Sequence, residues 1–181
     1  KYVDVSIVLA SAGSEIPKEL QSESKYKNWT LTYANKAISQ MESGAKSSGD
    51  KFGEFRWVYG TKDKALTWMN IIVGEIKGRG NKDAAIPYYY KATKYETGAK
   101  DWNIYRMIGA WYFENLIKKI EARNALDKTK EENIPLIKES VAFEKGYAER
   151  AMDAYARSYK LAQTNPKVDA KMKLGTSAKR K

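Results

Sequence analysis

Three stretches of the chain place their apolar residues at the spacing of one face of an α-helix. The clearest stretch covers residues 65–77, where the apolar positions are Leu66, Met69, Ile72, Val73 and Ile76. Residues 103–120 repeat the pattern behind Asp101, which is well placed as an N-cap, and residues 148–162 repeat it once more. The pattern therefore predicts three amphipathic helices.

Polar and glycine-containing segments separate these helices. Residues 77–82 and 96–100 predict short turns, residues 124–133 predict a longer polar break, and residues 43–53 are loop-like. Residues 1–10 alternate between apolar and polar side chains, as a strand would, but the chain offers no convincing second strand to pair with them. We therefore favour a helix there, and the sequence predicts an all-α fold.

The same patterns divide the chain into three regions. Residues 1–60 are predicted to be mostly helical, and residues 61–166 contain the clearest helical periods. Residues 167–181 hold six basic side chains against one acidic side chain and show almost no periodicity. This last region is predicted to be a mobile basic tail.

An arrangement of large and small residues also recurs along the chain. It runs through Met69, Ile72, Val73 beside Gly74, and Ile76, then a turn at residues 78–81, then Ala85, Tyr89 and Ala92. A second copy of its first half begins about 36 residues later, as Tyr105, Ile108, Gly109 and Tyr112. Over roughly residues 62–116, this arrangement resembles the tetratricopeptide repeat (TPR) family, whose period is 34 residues.

The resemblance implies a right-handed α-solenoid of TPR-like antiparallel helix pairs, in which each pair buries its apolar face against the next. One unit is expected to be irregular, because residues 118–124 lack the pattern of a second helix. A turn at Gly146, followed by a helix through Ala151, Tyr155 and Ser158, looks like the displaced second helix, with residues 164–166 as its ending. Residues 28–44 resemble a degenerate second helix upstream.

The resemblance also implies a concave groove, lined by the first helix of each pair, that binds peptides. The positions carried over to this chain are Asn70, Lys77, Arg106, Phe113 and Glu114. The lysine–asparagine clamp by which some members of the family hold a peptide carboxyl terminus is missing from the corresponding positions. That these side chains are only solvated is the alternative.

Aromatic residues supply the remaining binding candidates. In residues 83–95 (DAAIPYYYKATKY), Asp83 is the predicted N-cap and Tyr89 shares a face with small residues, which places it in the core. Tyr88 and Tyr90 lie about 100° to either side of Tyr89 on a helix, so they are predicted to face neighbouring helices or a partner. Two further aromatic residues, Trp57 and Tyr59, are candidates for exposed interface anchors.

The absence of cysteine and histidine narrows the chemistry. Without them the chain has no thiolate nucleophile and lacks the commonest general base and metal ligand. The carboxylate pairs, such as Glu131 with Glu132, lie in polar surroundings that would not raise one pKa selectively. We therefore expect no enzyme activity and no catalytic, metal or cofactor site.

Charge leaves two classes of function open. The formal net charge is +11, but 26 of the 33 basic residues are lysine, which is typical of a solvated helical surface. The first expectation is a scaffold or self-assembling, filament-type subunit that binds proteins, its own copies included. The alternative is a protein that binds a polyanion, either nucleic acid or acidic polysaccharide, through lysine-rich faces and the tail.

The lengths of the apolar runs and the identity of the first residue suggest where the protein is located. No apolar run approaches the roughly 20 residues that span a bilayer, so a soluble chain is expected. The sequence begins at Lys1 rather than at methionine, which leaves export followed by processing open.

Overall fold

A computed structural model describes residues 3–16, 24–47, 59–166 and 168. Within these ranges the regular structure consists of α-helices and one 3₁₀ turn, without a β-strand, which confirms the all-α prediction. The elements are α1 (Asp4–Glu15), α2 (Ser24–Glu42), α3 (Lys62–Gly78), the 3₁₀ turn (Lys82–Ala84), α4 (Ile86–Ala92), α5 (Glu96–Ala99), α6 (Trp102–Asn124) and α7 (Asn133–Thr164). The helix expected at the start of the chain is therefore present as α1.

The chain divides into two compact units, residues 1–100 and 101–181. The first contains α1 to α5, and the second contains α6 and α7. The expected division near residue 60 differs from this one, because α3 packs against α1 and α2 and so belongs with the N-terminal region.

Helix α3 lies at the centre of the first unit. Consecutive residues from Met69 to Gly74 are all buried, so the middle of the helix is covered on every side. Helices α1 and α2 contribute the apolar side chains that pack with it in the core, including Ile7 and Met41. The helix itself is confirmed, but the prediction that its central part is amphipathic is wrong. The period of apolar residues identifies one buried face of a helix. It does not show whether neighbouring elements also cover the other faces.

Side-chain caps fix where several helices begin. The Thr61 side chain accepts a hydrogen bond from the Lys64 backbone N–H (3.1 Å), and the Asp101 side chain accepts one from Asn103 (2.8 Å), which confirms Asp101 as an N-cap. The predicted Asp83 cap is wrong, because Asn81 caps the 3₁₀ turn and the Asp83 N–H is the donor (3.1 Å). Helix α4 then begins at Ile86.

The segment predicted as a turn at residues 96–100 contains the one-turn helix α5. The Asp63 carboxylate accepts hydrogen bonds from the backbone N–H groups of Glu96 and Thr97, both at 2.8 Å, and from the Thr97 hydroxyl at 2.5 Å. Burial by itself would raise the pKa of Asp63, but these hydrogen bonds outweigh it and hold the pKa below its ordinary value. Asp63 thus ties the start of α3 to the start of α5.

The second unit is a hairpin of α6 and α7. Helix α7 is twice as long as residues 148–162 suggested and runs without interruption through Gly146, so the predicted turn at Gly146 is wrong. Pro135 is tolerated because it lies in the first turn, where its missing N–H has no intrahelical acceptor. The polar break after residue 124 and the helix end at Thr164 are confirmed. Apart from Val168, the basic tail lies outside the described residues.

Candidate interaction surface

Each unit contains a helix–helix contact in which a glycine makes room for a tyrosine ring. A Cβ added to Gly74 on α3 would lie 2.8 Å from Cε1 of Tyr89 on α4. A Cβ added to Gly109 on α6 would lie 3.0 Å from Cδ1 of Tyr155 on α7. Small residues flank both tyrosines four positions before and three positions after: Ala85 and Ala92 in one unit, Ala151 and Ser158 in the other.

An aromatic and charged seam continues between α6 and α7. The ring of Tyr147 lies 6.1 Å from the Trp111 ring and 5.9 Å from the Tyr112 ring, and the Arg150 guanidinium lies 5.9 Å from the Tyr112 ring. Burial raises the pKa of Tyr155 at the same seam. These contacts fix the side of each helix that faces the other.

An ion pair joins the two helices near their connecting loop. Arg123 Nε donates a hydrogen bond to Glu144 Oε1 at 2.6 Å, and the Ser140 hydroxyl donates to the same oxygen at 3.2 Å. The hydrogen bond from Arg123 lowers the pKa of Glu144 below its ordinary value. The hairpin is therefore closed by charge at one end and by the glycine–tyrosine contact towards the other.

Helical geometry then locates the exposed apolar residues. At about 100° per residue, Ile134, Val141 and Met152 fall on one line, about 90° round α7 from its contact with α6. Phe113 and Ile117 lie at a similar angle on α6. Because the two helices run antiparallel, both lines come to the same side of the hairpin.

We call these five residues the open face of the hairpin. Their exposed fractions are 47% for Phe113, 39% for Ile117, 44% for Ile134, 50% for Val141 and 63% for Met152. Single exposed apolar residues are ordinary on protein surfaces, whereas several large ones on one side of a hairpin favour contact with another molecule.

The opposite side of the hairpin also has apolar side chains, but fewer of them are large and exposed. Leu136 and Phe143 are each half exposed, and the Lys119 ammonium lies 5.3 Å from the Phe143 ring. Towards the start of α6, Ile104 and Ile108 are buried. Most of the exposed apolar surface of the hairpin therefore belongs to the open face.

Charged residues of both signs lie on and beside the open face. By the same helical geometry, Arg106 lies at an angle between those of Phe113 and Ile117 on α6, with Glu121 towards the outer edge. On α7, Lys145 lies close to the line of Val141 and Met152 and pairs with Glu149 at 4.0 Å. Residues 101–166 contain 11 basic and 10 acidic side chains, so the hairpin is almost neutral. The excess positive charge lies in residues 1–100 and 167–181.

The groove expected from helix α3 is not available at Asn70. This side chain is fully buried, its Nδ2 donates to the Leu66 carbonyl at 2.8 Å, and its Oδ1 is buried without a hydrogen-bond partner. The expectation that Asn70 lies on an accessible surface is wrong, because α3 is covered on all sides at that position.

The structure brings together two other candidates of the first unit. The Lys77 ammonium lies 5.0 Å from the centre of the Tyr88 ring, and both residues are half-buried. Tyr89 is buried with a pKa raised to about 12, mainly by burial, and Tyr90 is 41% exposed. The expected division between a core Tyr89 and its two neighbours therefore agrees with their burial.

The remaining candidates are spread over both units. Tyr59 is half-buried, its hydroxyl is 2.8 Å from the Ser11 hydroxyl and its ring stacks on Trp68, so it is packed rather than exposed. Trp57 lies outside the described residues. In the second unit, Arg106 is exposed, with its guanidinium 6.0 Å from the Trp102 ring.

Phe113 and Glu114 are adjacent candidates with different surroundings. Phe113 belongs to the open face, whereas Glu114 is half-buried. Sequence reasoning missed the other four residues of the open face. The spacing of Ile134, Val141 and Met152, at seven and eleven residues, was a signal for a common face.

Metal binding and membrane crossing can be judged for the described residues. In the described ranges, no group of three or more carboxylates could hold a metal ion. None of the described helices combines the length and the apolar character that crossing a bilayer requires.

Comparison of the chain with protein-family models, with curated proteins and with solved structures finds no match.

Proposed function

We propose that the chain is a non-enzymatic, self-assembling scaffold protein that works through protein–protein contacts. The observation that carries this proposal is the open face. Five large apolar side chains lie exposed on one side of a two-helix hairpin. Burying such side chains is worth about 25 cal/mol for each Å² removed from water, so contact with another protein would stabilise the hairpin.

The structure of a hairpin explains why such a face exists. Two helices in contact bury one side of each, and a helix that is apolar over a wider arc needs a further neighbour. Repeat proteins solve this problem by stacking helix pairs, and the last pair exposes a face unless a cap or a partner covers it.

The glycine–tyrosine contacts support a TPR-like repeat within this proposal. Both units use a glycine on the first helix, an aromatic ring on the second, and small residues four before and three after that ring. Such a contact lets helices approach closely, and we propose a right-handed solenoid of helix pairs on this basis. The long α7 would make the second pair the irregular one.

Sedimentation velocity of the purified full chain tests the proposal. We expect the average mass to rise above that of the 20.6 kDa monomer as the protein concentration increases by about a hundredfold. A chain that stays monomeric over that whole range would contradict self-assembly.

A second candidate function, polyanion binding, is favoured by the distribution of charge. Residues 1–100 have 16 basic and 11 acidic side chains, and residues 167–181 have six basic and one acidic. If the tail contacts phosphates, deleting residues 167–181 should weaken binding to a duplex DNA probe and make it clearly less dependent on salt. Full-length protein that shows no salt-sensitive binding to the probe would remove this candidate.

A further inference from the structure

We draw no further inference here: the strongest candidate, the open face of the hairpin formed by α6 and α7, carries charged side chains of both signs among its exposed apolar residues, and nothing in the structure shows what covers it.

Discussion

At the scale of single residues, the packing of the first unit depends on Gly74. Any side chain at this position would meet the Tyr89 ring, which is buried. Glycine ordinarily weakens a helix by about 1 kcal/mol relative to alanine. Glycine at this position lowers the intrinsic stability of α3, but it allows α4 to approach closely. We infer that the packing gained outweighs the helix propensity lost.

Gly74→Ala should lower the free energy of unfolding by about 1–2 kcal/mol, because the cost of overpacking exceeds the gain in helix propensity. The matched control is Gly146→Ala in α7, where the added Cβ would lie 3.2 Å from the flexible end of Arg150. That variant should be neutral or more stable by about 0.5–1 kcal/mol. Urea denaturation measures both, and a Gly74→Ala variant as stable as wild type would contradict the packing argument.

The contribution of Asp63 to the free energy of unfolding should depend on pH. Its lowered pKa means that the hydrogen bonds to α5 stabilise the folded chain fully above the ordinary pKa of 3.8. The stabilisation is lost as the pH falls through the lower pKa of the folded state, since the carboxyl then binds a proton. Asp63→Asn should cost about 1–2 kcal/mol at neutral pH.

Thermal unfolding of Asp63→Asn and wild type at neutral and at strongly acidic pH checks this sign. The difference in Tm between the two proteins should shrink in acid, provided that both remain folded there. A difference that stays constant across the titration would show that the carboxylate charge does not supply the stability.

The sequence predicted some of these residue roles and not others. The burial of Tyr89 followed from its spacing to Ala85 and Ala92, because a helix places those three on one face. The burial of Asn70 did not follow, since an amide in the middle of a helix is equally compatible with solvent. Only the packing of several elements around α3 decides it.

At the scale of elements, α7 shows what holds a long helix together across a weak position. Gly146 lies between Glu144, which pairs with Arg123, and Tyr147, which contacts the rings of Trp111 and Tyr112. Contacts with α6 on both sides of the glycine compensate for its low helix propensity. Local sequence favoured a turn at this point, and tertiary contacts override that preference.

Removing the charge of Glu144 should loosen the loop end of the hairpin. Glu144→Gln loses the ion pair with Arg123, whose two side chains are only 13% and 22% exposed, and should lower Tm by roughly 2–4 °C. The control Glu139→Gln changes an exposed glutamate on the same helix and should leave Tm unchanged. Equal effects of the two substitutions on Tm would contradict a specific role for the pair.

The exposure of the open face could not be predicted from the sequence. The period of three and four residues identifies apolar lines on α6 and α7, but a covered line and an exposed line have the same period. Phe113 was predicted to bind a partner only because of its position in the repeat. Ile134 and Val141 belong to the part of α7 whose helical character the sequence did not show.

At the scale of the whole molecule, the two units differ in charge as well as in structure. The hairpin is nearly neutral, whereas the remainder of the chain carries almost all of the net charge of +11. Assembly through the hairpin should therefore depend weakly on salt, and any binding to polyanions should depend on it strongly.

Coupling between folding and assembly should make stability depend on concentration. If only the folded hairpin binds a second copy, each tenfold rise in protein concentration should stabilise the dimer by about 1.4 kcal/mol, which is about 0.7 kcal/mol for each chain and raises Tm by roughly 1–3 °C. Scanning calorimetry at three concentrations measures the shift. The shift should vanish in Val141→Glu and persist in Phe143→Glu, and a shift that is the same in both would place the contact elsewhere.

The ring of Trp111, packed beside Tyr112 and Tyr147, gives the hairpin an optical signal of its own. Residues 101–166 contain two tryptophans, Trp102 and Trp111. A chain in which phenylalanine replaces every tryptophan except Trp111, excited at a wavelength that tyrosine does not absorb, would fluoresce from the seam between α6 and α7 alone. Separation of the two helices would expose that indole to water and shift its emission to the red, so opening of the hairpin could be timed without any attached dye.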